Sequence, residues 1–117
     1  MAILIIEDEE KLVYILKRAL RSEKYSVDVA YDGEDGLDKA SKNNYALIIL
    51  DIWMSGIDGN TICKELKRNE NTKHIPVIMF SANRNVKDIA AESGADDHLS
   101  KPFEIADLLA LVKKYLG

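Results

Sequence analysis

Five side chains of this sequence suit the binding of a divalent cation and a phosphate group, and each follows a short apolar segment. They are Glu7 and Asp8 after residues 3–6, Asp51 after residues 46–50, Ser81 after residues 77–80, and Lys101 after a segment near residues 97–100. Carboxylates held together repel one another unless a positive charge lies among them. A hard cation such as Mg²⁺ prefers carboxylates, water and phosphate oxygens as ligands. A lysine ammonium and a serine hydroxyl both suit a phosphate oxygen.

The segments around these residues alternate between two hydrophobic periods. Apolar runs near residues 3–6, 27–30, 46–50, 77–80 and 97–100 predict five strands, each followed by a helical pattern. In the first helical pattern one apolar face consists of Leu12, Ile15, Leu16, Ala19 and Leu20. The pair Asp58-Gly59 predicts a loop before the third helix. Strict alternation predicts an α/β fold, a parallel sheet with helices on both faces.

This architecture would bring the five polar side chains together, because the carboxyl ends of parallel strands lie at one edge of the sheet. Periodicity leaves the strand order open between the two common doubly wound arrangements. Both arrangements place their binding site at that edge.

Length and charge narrow the class of protein. A chain of 117 residues fits one domain, residues 1–117, and its net charge of −4 argues against a general nucleic-acid binder. The single cysteine, Cys63, lies in a helical pattern and is expected to be a buried free thiol. The N-terminus is apolar for only a few residues, so neither a secretory signal nor a membrane span is predicted, and a cytoplasmic location is the default.

Each candidate residue also has an ordinary structural interpretation. Asp8 could simply cap the next helix, Ser81 could be the first polar residue of a loop, and Lys101 could be a solvated surface residue. Asp51 is harder to explain this way, because it directly follows the buried run YALIIL. The joint pattern of acids, hydroxyl and lysine at successive strand ends favours a functional site over coincidence.

Four segments, ILIIEDE, LDIWMSGIDG, IPVIMFSA and GADDHLSKPF, occur in an order and spacing that resemble the receiver domain of bacterial two-component signalling. The resemblance covers essentially the whole chain. It implies a flavodoxin-like, doubly wound (βα)5 three-layer sandwich with a parallel five-stranded sheet in the order 2-1-3-4-5. It also implies a phospho-acceptor switch rather than an enzyme.

The resemblance further implies roles for the acidic residues. Asp51 would be the phosphoryl acceptor. Asp8 would bind Mg²⁺ directly, or Mn²⁺ as an alternative, with Glu7 helping directly or through water. Asp51 and the backbone carbonyl of Trp53 would complete the metal ligands.

The resemblance assigns the remaining positions to the response to phosphorylation. Ser81 and Lys101 would contact the phosphoryl group, His98 would be the switch residue, and the Lys101-Pro102 peptide bond would be cis. The sequence departs from the family pattern in having Glu7 for an aspartate, Ser81 for a threonine, Ser55 for a proline and His98 for a tyrosine or phenylalanine. None of these changes removes an essential chemical group, although Ser55 would loosen the loop after the acceptor.

A receiver domain implies a phosphohistidine donor, carried by a histidine kinase or a histidine phosphotransfer protein. Its output would run through a downstream protein target or an effector domain missing from these residues, without direct contact with nucleic acid or membrane. One rival hypothesis is a metal-dependent phosphohydrolase with an aspartyl nucleophile, but Asp51-Ile52-Trp53 lacks a second carboxylate two residues on. Another is a binding module that is never phosphorylated, which the complete set of polar groups disfavours.

Overall fold

A computed structural model describes residues 1–53, 58–82 and 85–117, and five strands alternate with five helices in them. The strands are β1 (Ala2–Ile6), β2 (Ser26–Ala30), β3 (Leu47–Asp51), β4 (Val77–Ser81) and β5 (Asp97–Ser100). The helices are α1 (Glu10–Ser22), α2 (Gly33–Lys42), α3 (Gly59–Arg68), α4 (Val86–Ser93) and α5 (Ile105–Leu116). The predicted alternation is confirmed. Ser55 lies outside the described residues.

The strands form one parallel sheet in the order β2-β1-β3-β4-β5, which confirms the order implied by the resemblance. The register pairs Ile6 with Leu50 and Asp51 with Phe80. The carboxyl ends of β1, β3 and β4 therefore lie at the same level, so the residues that end or follow these strands meet at one edge.

Apolar side chains cover both faces of the sheet. One cluster lies between the sheet and helices α2, α3 and α4, and a second lies between the sheet and helices α1 and α5. Alternate residues of one strand contribute to opposite clusters: Ile3 and Ile5 pack towards α1 and α5, whereas Leu4 and Ile6 pack on the other side. This two-sided burial explains why the central strands are unbroken apolar runs in the sequence.

Helix α1 buries part of the apolar face that its sequence pattern predicts, including Leu16 and Leu20, and Leu12 packs against the same cluster. Val13, Leu16 and Leu20 are buried, whereas Ile15 is 48% exposed. Ile15 belongs to the predicted apolar face but borders a surface groove between α1 and the start of α5. The N-cap position of this helix is occupied by Glu9 rather than Asp8, and the Glu9 side chain makes no capping hydrogen bond.

Cys63 is fully buried in α3, as expected for a free thiol. The Lys101-Pro102 peptide bond is cis, as the resemblance implies. None of the helices in the described part of the chain is both long and apolar enough to cross a membrane.

Candidate functional site

Three carboxylates meet at the carboxyl edge of the sheet. Glu7 and Asp8 follow β1, Asp51 ends β3, and one oxygen from each lies within 4.8 Å of the others. Glu7 and Asp51 are buried, at 1% and 3% exposure, whereas Asp8 is exposed. Two acids of the site, Glu7 and Asp51, are therefore shielded from solvent, and the third, Asp8, is in contact with it.

Lys101 brings the positive charge to this cluster from the segment after β5. Its Nζ lies 3.4 Å from Asp51 Oδ2 and 3.5 Å from Glu7 Oε2. Its backbone N–H donates to the carbonyl oxygen of Ser81 at 2.8 Å, which anchors the segment to the end of β4. One lysine thus faces two buried carboxylates, which leaves the three-acid cluster with excess negative charge.

The raised pKa of Glu7 and the environment of its Oε2 atom both indicate that a further cation would be bound favourably here. Burial, followed by hydrogen bonding and charge repulsion with Asp51, raises the pKa of Glu7 to about 8, against the lowering effects of the Glu9 backbone N–H and Lys101. Glu7 Oε1 accepts the Glu9 N–H at 3.0 Å, but Oε2 is buried and accepts no hydrogen bond from the described residues. A buried carboxylate oxygen that has the Lys101 ammonium at 3.5 Å but accepts no hydrogen bond from the described residues, and that lies beside two more carboxylates, fits a hard divalent cation.

The position of Asp51 is fixed by strand β3, which ends at this residue, and by the backbone that follows it. It is the last residue of β3, and its Oδ1 accepts the backbone N–H of Trp53 at 3.2 Å. Gly59, the first residue of α3, packs directly on this backbone, since its N–H donates to the Ile52 carbonyl at 2.9 Å. A Cβ on Gly59 would lie 2.5 Å from the Asp51 carbonyl oxygen and 2.5 Å from Ile52 Cα. The close approach of α3 to the end of β3 therefore requires a glycine.

This role of Gly59 is not evident from the sequence, where Asp58-Gly59 predicts only a loop. The side chain of Asp58 in fact caps α3, accepting the Thr61 N–H at 2.9 Å. We expect Gly59→Ala to lower the free energy of unfolding by about 1–3 kcal/mol, because the new methyl group meets backbone atoms that cannot move away. Chemical denaturation measures this effect, and an unchanged midpoint would contradict the close packing.

Ser81 and His98 lie on the same face of the sheet. Ser81 ends β4 and is fully buried, while His98 on the edge strand β5 pairs with Met79 and is partly exposed. Side chains two residues apart in a strand share a face, and so do paired residues of parallel neighbours. Met79 packs in the cluster under α3 and α4, so both residues lie on the α4 side of the sheet.

The sequence of residues 3–113 matches the family model of the response regulator receiver domain. The response regulator ArlR of Staphylococcus aureus is 43% identical over 116 residues. That match covers 97% of this chain and 52% of ArlR, so the chain spans about half the length of this curated relative.

Two solved structures have closely similar folds. A putative response regulator from Chloroflexus aurantiacus superposes with a TM-score of 0.93 at 35% identity, covering 98% of this chain and 96% of that one. The response regulator TrrA of Thermotoga maritima, solved in complex with Mg²⁺ and BeF, has a TM-score of 0.89 at 33% identity, with 97% of each chain covered. The similarity thus extends over nearly all of these two solved chains, in contrast to the 52% coverage of ArlR.

Proposed function

The chain belongs to the response regulator receiver domain family, and we propose that it acts as a signalling switch by accepting a phosphoryl group on Asp51. The observation that carries this proposal is the convergence on Asp51 of two further carboxylates and the Lys101 ammonium at the carboxyl edge of the sheet. The Asp51 carboxylate is fixed at the end of β3, and it lies within 4.8 Å of a carboxylate oxygen of the exposed Asp8. Such a group can accept a phosphoryl from a donor that approaches from solvent.

We further propose that Glu7, Asp8, Asp51 and the backbone carbonyl of Trp53 hold Mg²⁺. Two observations support this assignment: Glu7 Oε2 is buried and accepts no hydrogen bond from the described residues, and the three carboxylate oxygens lie within 4.8 Å of one another. The Mg²⁺ complex of TrrA supports it as well. When bound, the cation neutralises negative charge on the phosphoryl oxygens. Mn²⁺ prefers similar oxygen ligands, and parallel titrations test it as the alternative.

The roles proposed for Lys101, Ser81 and His98 follow from their positions. Lys101 faces Asp51 in the unphosphorylated state and can pair with a phosphoryl oxygen afterwards. Ser81 lies at the end of the neighbouring strand and can donate its hydroxyl to that group. His98 shares a face with Ser81, so a shift of Ser81 can change the orientation of His98 and with it the surface offered to partners. Phosphorylation then acts as a population shift between two surfaces.

The proposal is tested by incubating the purified protein with acetyl phosphate and following its intact mass. We expect the addition of one phosphoryl group in the presence of Mg²⁺ and little or none when a chelator removes the metal. A generic phosphate ester assayed in parallel distinguishes the phosphohydrolase hypothesis, which requires many turnovers per protein. No mass change with any small donor would contradict the proposed acceptor function.

We propose that the phosphoryl donor is a phosphohistidine on a kinase or phosphotransfer protein, and that this partner docks beside Lys101. A groove of about 630 Å³ begins at Lys101 and runs between α1 and the start of α5. Its apolar lining comes from Leu12, Ile15, Phe103 and Ile105. Because the groove opens next to the acceptor, an apolar helix face bound there would place a donor within reach of Asp51.

Docking in this groove predicts different responses to large and small donors. We expect Ile15→Asp to slow transfer from a histidine phosphotransfer protein that labels the wild type by about tenfold or more, because a charge would be buried in the contact. Labelling by acetyl phosphate should be unchanged. Tyr14→Asp is the matched control, since Tyr14 is 61% exposed on the same helix but does not line the groove. Equal effects of Ile15→Asp on both donors would contradict docking in the groove.

The pKa of Glu7 predicts that metal binding depends on pH. Because this pKa is raised to about 8, cation binding at lower pH must displace a proton, and we expect Mg²⁺ affinity to fall by up to about tenfold per pH unit below it.

The stability of the metal-free protein should also depend on pH through Glu7. Its protonated Glu7 favours folding at low pH, and that contribution is lost as the pH rises through about 8. Titration calorimetry measures the Mg²⁺ affinity and scanning calorimetry the stability, each as a function of pH, for the wild type and Glu7→Gln. Identical pH profiles for the two proteins would contradict the role of Glu7.

We propose that residues 1–117 form one receiver domain and that its output runs through a downstream protein or an effector domain beyond these residues. The partial coverage of ArlR supports the second possibility. The acidic net charge supports a protein target over direct contact with nucleic acid. We place this activity in the cytoplasm, where ATP supplies the phosphoryl groups that histidine kinases transfer.

A further inference from the structure

The ammonium of Lys101 has an aromatic neighbour in addition to its two carboxylates. Nζ lies 4.9 Å from the centroid of the Phe80 ring. This distance is within the range of a cation–π contact, in which the negative face of a ring attracts a cation. The Lys101 side chain is only 22% exposed, so water screens this attraction less than it would at an open surface.

The ring of Phe80 is itself fixed. Phe80 is 1% exposed and is the last but one residue of β4. Its carbonyl accepts the Ile52 N–H at 3.1 Å, which ties it to the residue after Asp51. The Phe103 ring packs edge-on against it, with centroids 5.9 Å apart and an interplanar angle of 88°. Neither the backbone nor the ring of Phe80 can therefore move away from Lys101 without disturbing the core.

A fixed ring matters because lysine is flexible. Four methylene groups let an ammonium occupy many positions, and holding it in one of them costs conformational entropy. The carboxylates of Glu7 and Asp51 attract the ammonium, but any cation or phosphoryl group that joins the site changes this attraction. The ring is the neutral neighbour whose attraction for Lys101 does not change during phosphoryl transfer.

We propose that Phe80 is a positioning residue for phosphoryl transfer, whose ring face holds the Lys101 ammonium beside Asp51. This inference rests on the proposed acceptor function of Asp51. It goes beyond that function in assigning a role in the rate of transfer to a residue that is otherwise an ordinary member of the core.

The first experiment compares initial rates of labelling by acetyl phosphate at saturating Mg²⁺. We expect Phe80→Leu, which keeps an apolar side chain but removes the ring face, to slow labelling by about fivefold. Ile78→Ala is the control for loss of core packing, because Ile78 is fully buried on the same strand and in the same cluster. It should lower stability without slowing labelling. Equal slowing by both variants would overturn the proposal.

A double-mutant cycle separates positioning of Lys101 from a general effect of the ring. Phe80→Leu should cause no further slowing in a Lys101→Ala background, because the group that the ring positions is already gone. The same fivefold loss in both backgrounds would show that the ring acts independently of Lys101 and would overturn the proposal.

The contact itself is tested in the unphosphorylated protein by NMR, independently of any labelling. The ε-methylene protons of Lys101 should show an upfield ring-current shift that disappears in Phe80→Leu and persists in Ile78→Ala. A wild-type protein that shows this shift but takes up no phosphoryl group would contradict the acceptor function while supporting the contact. Absence of the shift in the wild type would overturn the positioning role directly.

Discussion

Asp51→Asn should abolish labelling of the protein by acetyl phosphate, with a loss of at least about a hundredfold relative to wild type. The amide is nearly the same size as the carboxylate but is a far weaker nucleophile, and it also removes one ligand from the acidic cluster. The fold should survive, since the amide is nearly the same shape and its oxygen can accept the Trp53 N–H that Asp51 Oδ1 accepts. Intact mass after incubation with Mg²⁺ and the donor measures the effect.

The matched control for this change is Asp58→Asn. Asp58 lies near the site and caps α3 through its side chain, and asparagine caps a helix as well as aspartate does. Labelling of Asp58→Asn should therefore equal that of the wild type. Wild-type labelling of Asp51→Asn would instead mean that another residue is the acceptor.

Asp8→Ala should weaken Mg²⁺ binding by at least about tenfold, because it removes one of the three carboxylates that share the proposed ion. Asp8 is the exposed member of the cluster, so its loss should leave the fold intact and the change can be assigned to the metal. Titration calorimetry or quenching of the exposed Trp53 indole provides the measurement.

Glu10→Ala serves as the control for loss of negative charge near the site. Glu10 is exposed in the first turn of α1 and lies outside the carboxylate cluster, so its removal should change Mg²⁺ affinity only slightly. If both variants lost affinity equally, the general negative field of the protein would explain binding better than coordination by Asp8.

The strand–helix alternation could be predicted from the sequence because the central strands are buried on both faces and read as unbroken apolar runs. Parallel strands then place the residues that follow them at one edge, so Asp8, Asp51 and Lys101 could be grouped without a structure. The inner face of α1 was less predictable. Ile15 is 48% exposed at a groove although it shares an apolar pattern with buried residues, and such a pattern does not distinguish a groove from a core.

Other features of the site depend on distances that no sequence pattern contains. The raised pKa of Glu7 arises from its burial and from its contact with Asp51, which is forty-four positions away in the chain. Gly59 is required by the backbone of Ile52. Phe80 contacts Lys101, which follows the neighbouring strand β5. The switch role of His98 stays a prediction, because it concerns a second conformation.

The central claim, that Asp51 is the phosphoryl acceptor, is tested most directly by locating the label. Borohydride reduces an acyl phosphate on an aspartate to an alcohol, which leaves a stable mark at the modified residue. After labelling with acetyl phosphate and Mg²⁺, tandem mass spectrometry of the reduced protein should place that mark on Asp51. A mark on Glu7, Asp8 or any other residue, with Asp51 unmodified, would contradict the account.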